Sequence, residues 1–148
     1  MKKSTSAWLS AAKDDLLLIE QIYQNEALTH LAAFHAQQAI EKSFKAVLEE
    51  FDDVVPRVHS LEHLLPRIQA HFEFSANFDL LEDLDKLYID ARYPGDLGLL
   101  PQGKPQLEDA AAFKEVAEGI FKAIEKKLIL REKISGWVVE QKRHIQDD

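Results

Sequence analysis

The chain has 148 residues, 46% of them hydrophobic and 30% charged, which suits one soluble folded domain with one core. Its formal charge of −8 opposes nucleic acid and anionic membranes, and so argues against a general RNA- or DNA-coating role. It contains no cysteine, which excludes disulfides, thiolate metal sites and a cysteine nucleophile, and agrees with the reducing cytoplasm expected as its location.

The first apolar run is broken by Lys13, Asp14 and Asp15, so no secretory signal is expected. No uncharged run approaches the ~20 residues of a membrane span. Helix one is expected over about Ser6 to Gln24, where Ala7, Ala11, Leu18, Ile19 and Ile22 repeat at helical spacing. Ser4 to Ser6 offer it a cap, and Asn25 ends it. Helix two is expected over about Ala27 to Glu50, with Ala33, Ala36, Ile40, Phe44, Val47 and Leu48 on its buried side. Phe51, Asp52 and Asp53 then lead to Pro56.

A shorter helix comes next over about Leu61 to His71, with Ser60 as its cap and Pro66 splitting or kinking it. Helix four covers about Asn77 to Arg92, with Leu80, Leu81, Leu84, Leu87 and Ala91 as core candidates. It stops near Tyr93, because Pro94 pushes the residue before it out of the α region and Gly95 permits a sharp turn. Residues Pro94 to Pro105 hold three of the five glycines and three of the five prolines, which makes them a loop. Helix five starts near Gln106 and reaches at least Leu130, on a stripe of Leu107, Ala110, Ala111, Ala117, Ile120, Phe121, Ile124 and Leu128. Gly136 is expected to break it, and Trp137, Val138 and Val139 either dock back or pair with a second chain. The end, from about Lys142, is expected to fray.

No strand-like alternation, glycine-rich phosphate loop or solenoid repeat is present. Short loops between long amphipathic helices give an all-α, up-and-down antiparallel bundle of four to five helices. One domain fills residues 1–148, with a core over about 6–130 and a C-terminal tail over about 135–148.

Helix two also carries His35, Gln38 and Lys42 at i, i+3 and i+7, opposite its apolar stripe. An imidazole, an amide and an ammonium along one line suit a phosphate or a partner's carboxylate. By spacing alone a solvated polar face is the commoner explanation. Asp85, Tyr88 and Arg92 repeat the spacing on helix four, followed by Tyr93 and Pro94. Arg92 suits bidentate phosphate recognition, and a cation in the last turn of a helix is also favoured by the helix dipole.

His59-Ser60-Leu61-Glu62-His63 matches the H-x-x-E-H pattern of inverted zinc peptidases, but Pro56 and Pro66 bracket it and no third ligand stands out. Arg57 and His63 form an R-x5-H spacing that is weak on its own. No nucleophile elbow is present, and most carboxylates are assigned to solvent faces.

Together these residues resemble the HEPN family of small helical domains. Phe34 to Lys42 looks like its second-helix signature, His59-Ser60-Leu61 like its short mid-chain motif, and Tyr88 with Ala91-Arg92-Tyr93-Pro94 like the helix-end motif of one prokaryotic branch. The match runs over about Ser6 to Leu130 in order and approximate spacing. The resemblance implies a homodimer, and a minimal nucleotidyltransferase as partner, in some cases as a toxin–antitoxin pair. It also implies a nucleotide ligand at His35, Gln38, Lys42, Tyr88, Arg92 and Tyr93, with no metal or other cofactor. Many HEPN proteins are metal-independent ribonucleases using a late R-x4-6-H motif. Here Arg92 is followed by Tyr-Pro-Gly-Asp-Leu-Gly with no histidine in reach, and Arg57/His63 lies before the third helix. The expectation is therefore a non-catalytic binding module, with a ribonuclease toxin and a purely structural dimer as alternatives. Arginine holds phosphate but cannot act as a general base at neutral pH.

Overall fold

The computed structural model describes residues 1–51, 53–92 and 104–147, and the side chains of all of these except 90–92 and 147. Five α-helices succeed one another: α1 (Lys3–Ile22), α2 (Thr29–Glu50), α3 (Leu61–Gln69), α4 (Phe78–Arg92) and α5 (Leu107–Asp147), with a 3-10 turn at Glu26–Leu28 before α2. No strand occurs among the described residues, and none of the helices is long and apolar enough to cross a membrane. The expected all-α bundle is what forms.

α2 is its axis and packs against α1, α3, α4 and α5. Ala33, Ala36, Ile40, Phe44, Val47 and Leu48 are all fully buried, as their spacing requires. Each large side chain among them contributes ~1.5–3 kcal/mol by leaving water. The one-sided burial expected for this helix is corrected, however: 15 of its 22 residues are buried, Gln37, Glu41, Ser43, Lys45 and Glu50 among them. Ala32, Ala39 and Ala46 add small surfaces on which neighbours approach closely, and most of the buried polar groups have partners inside the bundle.

α1 turns a different face inward from the expected one. Leu9, Ala12, Asp15 and Ile19 are its buried apolar and acidic positions, whereas Ala7 and Leu18 are exposed. The cause is Asp15, whose carboxylate must face α2 to meet the His35 imidazole and the Lys42 ammonium there. Ser4 to Ser6 lie within the first turns rather than capping them, since the helix already starts at Lys3. Its first turn is tied down by Glu50 of α2, which accepts from the Lys2 backbone N–H at 2.9 Å and from the Thr5 hydroxyl at 3.3 Å. Asn25 caps the 3-10 turn with its side chain, accepting from the Ala27 N–H.

Ser60 caps α3 as expected, and Pro66 lies inside the helix without splitting it. The start of α3 is held by a residue from another element. Asp85 of α4 accepts from the Leu61 N–H at 2.9 Å, the Glu62 N–H at 3.2 Å and the Ser60 hydroxyl at 3.0 Å. Three donors that a free helix N-terminus would leave to water are thus taken up by one buried carboxylate. On α4, Leu81, Leu84 and Leu87 are buried and Leu80 partly so; Ala91 lies outside the described side chains.

α5 also departs from expectation. It runs 41 residues without a break, straight through Gly136. Ala110, Phe113, Ala117, Ile120, Phe121, Ile124 and Leu128 are buried, while Leu107 and Ala111 face outward. From Ile129 to Gln146 every residue is exposed. The last ties to the body are the Arg131 guanidinium over the Phe51 ring, at 4.2 Å, and Glu132 with the N-terminal ammonium, at 3.0 Å.

Candidate functional site

Four carboxylates are buried, Asp15, Glu41, Glu50 and Asp85; of these only Asp85 is set apart from the solvent faces in the sequence. Two of them organise the candidate site. Asp15 of α1 lies between His35 and Lys42 of α2. Its carboxylate accepts from His35 Nδ1 at 2.9 Å and from Lys42 Nζ at 2.7 Å. The Asp15 side chain is only 9% exposed, while those of His35 and Lys42 are 24% and 25% exposed. Two-thirds of the expected His35–Gln38–Lys42 line is therefore a seam between α1 and α2 rather than an open polar face.

Glu41, one turn before Lys45, repeats the arrangement on the other side of α2. It accepts from His59 Nδ1 at 2.9 Å and from Lys45 Nζ at 3.4 Å. Glu41 and Lys45 are 5% and 7% exposed, and His59 is 48% exposed. The Lys45 ammonium also lies over the Trp8 ring, at 5.6 Å from its centre. Between the two carboxylates runs an amide relay. Gln38 donates to the Gln37 side-chain oxygen at 2.8 Å, and Gln37 donates to the His59 backbone carbonyl at 2.7 Å.

A carboxylate can only accept, so in each histidine–carboxylate pair Nδ1 carries the hydrogen and the neutral ring keeps its lone pair on Nε2. Nε2 of both rings has no protein partner among the described residues. The two imidazoles also end one row of rings. His35 meets Phe34 edge-on at 5.2 Å, Phe34 stacks on Tyr88 at 5.6 Å, and Tyr88 lies 5.5 Å from His59. The row brings α2, α4 and the segment before α3 to one place.

Of the six residues expected at the site, His35 and Tyr88 lie in this row, and Gln38 and Lys42 lie beside it on α2. Arg92 ends α4 one turn beyond Tyr88, with its side chain outside the described residues, and Tyr93 lies outside them altogether. Asp15, Phe34, Gln37, Glu41 and His59 complete the arrangement and were not picked as site residues from the sequence. For His59 a signal existed in its motif, whereas for Asp15 nothing in its neighbours on α1 distinguished it from Asp14.

The zinc-peptidase pattern does not survive folding. His59 precedes the α3 cap and is turned onto Glu41, while His63 is exposed in the first turn of the helix. No grouping of three or more His, Asp or Glu side chains fit to hold a metal occurs among the described residues. Arg57 and His63 are both exposed.

An open concavity lies elsewhere. A pocket of about 430 Å³ opens where α2 and α5 begin, lined by Glu26, Thr29, Lys104 and Glu108 among others. Lys104 donates to the Ala27 carbonyl at 2.6 Å, and burial together with the Lys104 charge lowers the His30 pKa below its ordinary value. None of the expected site residues lines this pocket. The chemistry of the ring row, rather than cavity size, therefore marks the candidate site.

A HEPN domain model matches residues 5–128. Among solved structures, the chain is similar to TT1696 from Thermus thermophilus, at 26% identity and a TM-score of 0.64, over 85% of this chain and 99% of that one. It is also similar to ST0689, described as an archaeal HEPN homologue, at 28% identity and a TM-score of 0.60, over 86% of this chain and 98% of that one. No curated protein matches.

Proposed function

Since the chain belongs to the HEPN domain family, we propose that it is a non-catalytic helical module that binds a nucleotide or similar phosphate-bearing ligand and pairs with a minimal nucleotidyltransferase, in a toxin–antitoxin-like system. The carrying observation is the row His35–Phe34–Tyr88–His59, with each terminal imidazole anchored through Nδ1 to a buried carboxylate. Ring faces accept a base by stacking, and an imidazole held in one tautomer offers a fixed Nε2 to a ligand hydrogen-bond donor, or donates once protonated. Lys42, paired with Asp15 yet a quarter exposed, lies beside the row, and Arg92 stands one turn beyond Tyr88 on α4, in a chain whose formal charge is −8. A nucleotidyltransferase subunit, which handles nucleotides itself, is the partner that fits this chemistry.

Thermal shift with ATP tests the direct-binding part. A ligand at tenfold its Kd stabilises by about 1.4 kcal/mol, which for a chain of this size raises Tm by roughly 4 °C. Wild-type protein in millimolar ATP should show a rise of that order. His35→Ala, His59→Ala and Arg92→Ala should each reduce it. A wild-type shift of zero removes direct nucleotide binding and leaves partner docking as the role of the surface.

One observation favours a second reading. Two imidazoles oriented by carboxylates are also what general acid–base catalysis requires, so cleavage of RNA is the alternative. Against it stands the formal charge of −8, which disfavours RNA capture. Intact RNA after incubation with the purified protein would remove it.

A further inference from the structure

We propose that the cleft where α2 and α5 begin is a second ligand site, and that it takes a small apolar α-amino acid, gripped by its carboxylate and its ammonium together. The cleft encloses about 430 Å³, within the roughly 300–1,000 Å³ of small-molecule sites. Its walls come from the 3-10 turn (Glu26), the first residue of α2 (Thr29), the segment before α5 (Lys104, Pro105) and the first turn of α5 (Leu107, Glu108). None of these residues belongs to the ring row, so the two sites stand apart.

One side of the cleft is built to donate. The N–H groups of Leu107 and Glu108, at the start of the 41-residue α5, have no acceptor among the described residues, because Asp109 serves the Gln106 N–H instead, at 2.9 Å. A helix start of this kind carries partial positive charge. The Lys104 ammonium is held near the start of α2 by one bond to the Ala27 carbonyl, at 2.6 Å, which leaves two of its hydrogens to give. Thr29 supplies the observation that points to a ligand. It lines the cleft, it is 1% exposed, and its Oγ1 has no hydrogen-bond partner. Buried hydroxyls are almost always paired, so one left open at the floor of a cleft marks where an acceptor from outside the chain fits.

Charge decides which acceptor. Glu26 and Glu108 line the same cleft, and neither has an ion-pair partner among the described residues. A phosphate with two negative charges would meet both of them. A carboxylate brings only one, and an ammonium on the same molecule turns the two glutamates into partners. The remaining surface is apolar. Pro105 is buried, and Leu107 is 37% exposed although it belongs to the apolar stripe of α5. An aliphatic side chain laid over Leu107 takes that surface out of water.

Isothermal titration calorimetry of the full chain with L-leucine is the test. Saturable binding is expected at millimolar concentrations. 4-Methylpentanoate lacks the ammonium and 3-methylbutylamine lacks the carboxylate, and each should bind at least tenfold more weakly. Thr29→Val keeps the shape and removes the hydroxyl. It should leave the Tm of the unliganded chain unchanged or higher, since no bond is lost, and weaken leucine several-fold. Glu26→Gln/Glu108→Gln should erase the preference for leucine over 4-methylpentanoate. No binding of L-leucine, L-valine or L-methionine at millimolar concentrations overturns the proposal. 4-Methylpentanoate binding as tightly as leucine makes the cleft a plain anion site, and unchanged binding by Thr29→Val removes the carboxylate from the cleft floor. Millimolar ATP should leave leucine binding as it was; competition between them would put leucine on the ring row and overturn the second site.

Discussion

Glu41→Ala is expected to cost about 3–5 kcal/mol, or roughly 10–15 °C in Tm for a chain of this size. The loss does not come from the bond energy of the Glu41 contacts, which is modest once desolvation is counted. It comes from Lys45, whose ammonium stays buried with only the Trp8 ring face beside it. Leaving one member of a buried ion pair without its partner is the costly event, whereas replacing both by apolar groups is often neutral. The control is therefore Glu41→Leu with Lys45→Met, which should recover most of the loss in urea or thermal unfolding. A Glu41→Ala cost below ~1 kcal/mol would mean that the pair is solvated like a surface salt bridge.

Asp15→Ala is expected to cost less, about 2–3 kcal/mol or some 6–10 °C. His35 and Lys42 are each about a quarter exposed, so water takes over part of what Asp15 gave them. Its larger consequence falls on the site. Without the carboxylate, the His35 ring loses both its tautomer and its orientation, and the ATP-induced shift should fall more steeply than stability does. Asp15→Asn keeps an acceptor but not the charge and should lie between. If Asp15→Ala lowers Tm yet leaves the ATP shift intact, His35 is a structural residue of the α1–α2 seam and nothing more.

The helices and the α2 core were legible because burial of Ile40, Phe44 and Leu48 obeys a short-range period that sequence displays directly. The α1 face was not, because Asp15 overrides hydrophobicity through partners 20 and 27 residues away. Asp85 stood out in the sequence as part of the Asp85–Tyr88–Arg92 line, but its place at the start of α3 is set by partners 23 to 25 residues away. Half of the site obeyed this pattern. His35 and Tyr88 were found by motif, but the carboxylates that fix the imidazoles are defined only by tertiary contact. Gly136 misled for the opposite reason: its intrinsic penalty is real but too small to stop a helix by itself.

The two tryptophans divide the molecule into two optical compartments. Trp8 packs on the core beneath Lys45, while Trp137 stands in water on the α5 extension. Their emission should differ accordingly, blue-shifted for Trp8 and red-shifted for Trp137. Trp137→Phe leaves a chain whose fluorescence tracks the unfolding of the bundle alone. Trp8→Phe leaves one whose signal should be silent to that transition and change only with what happens along the extension.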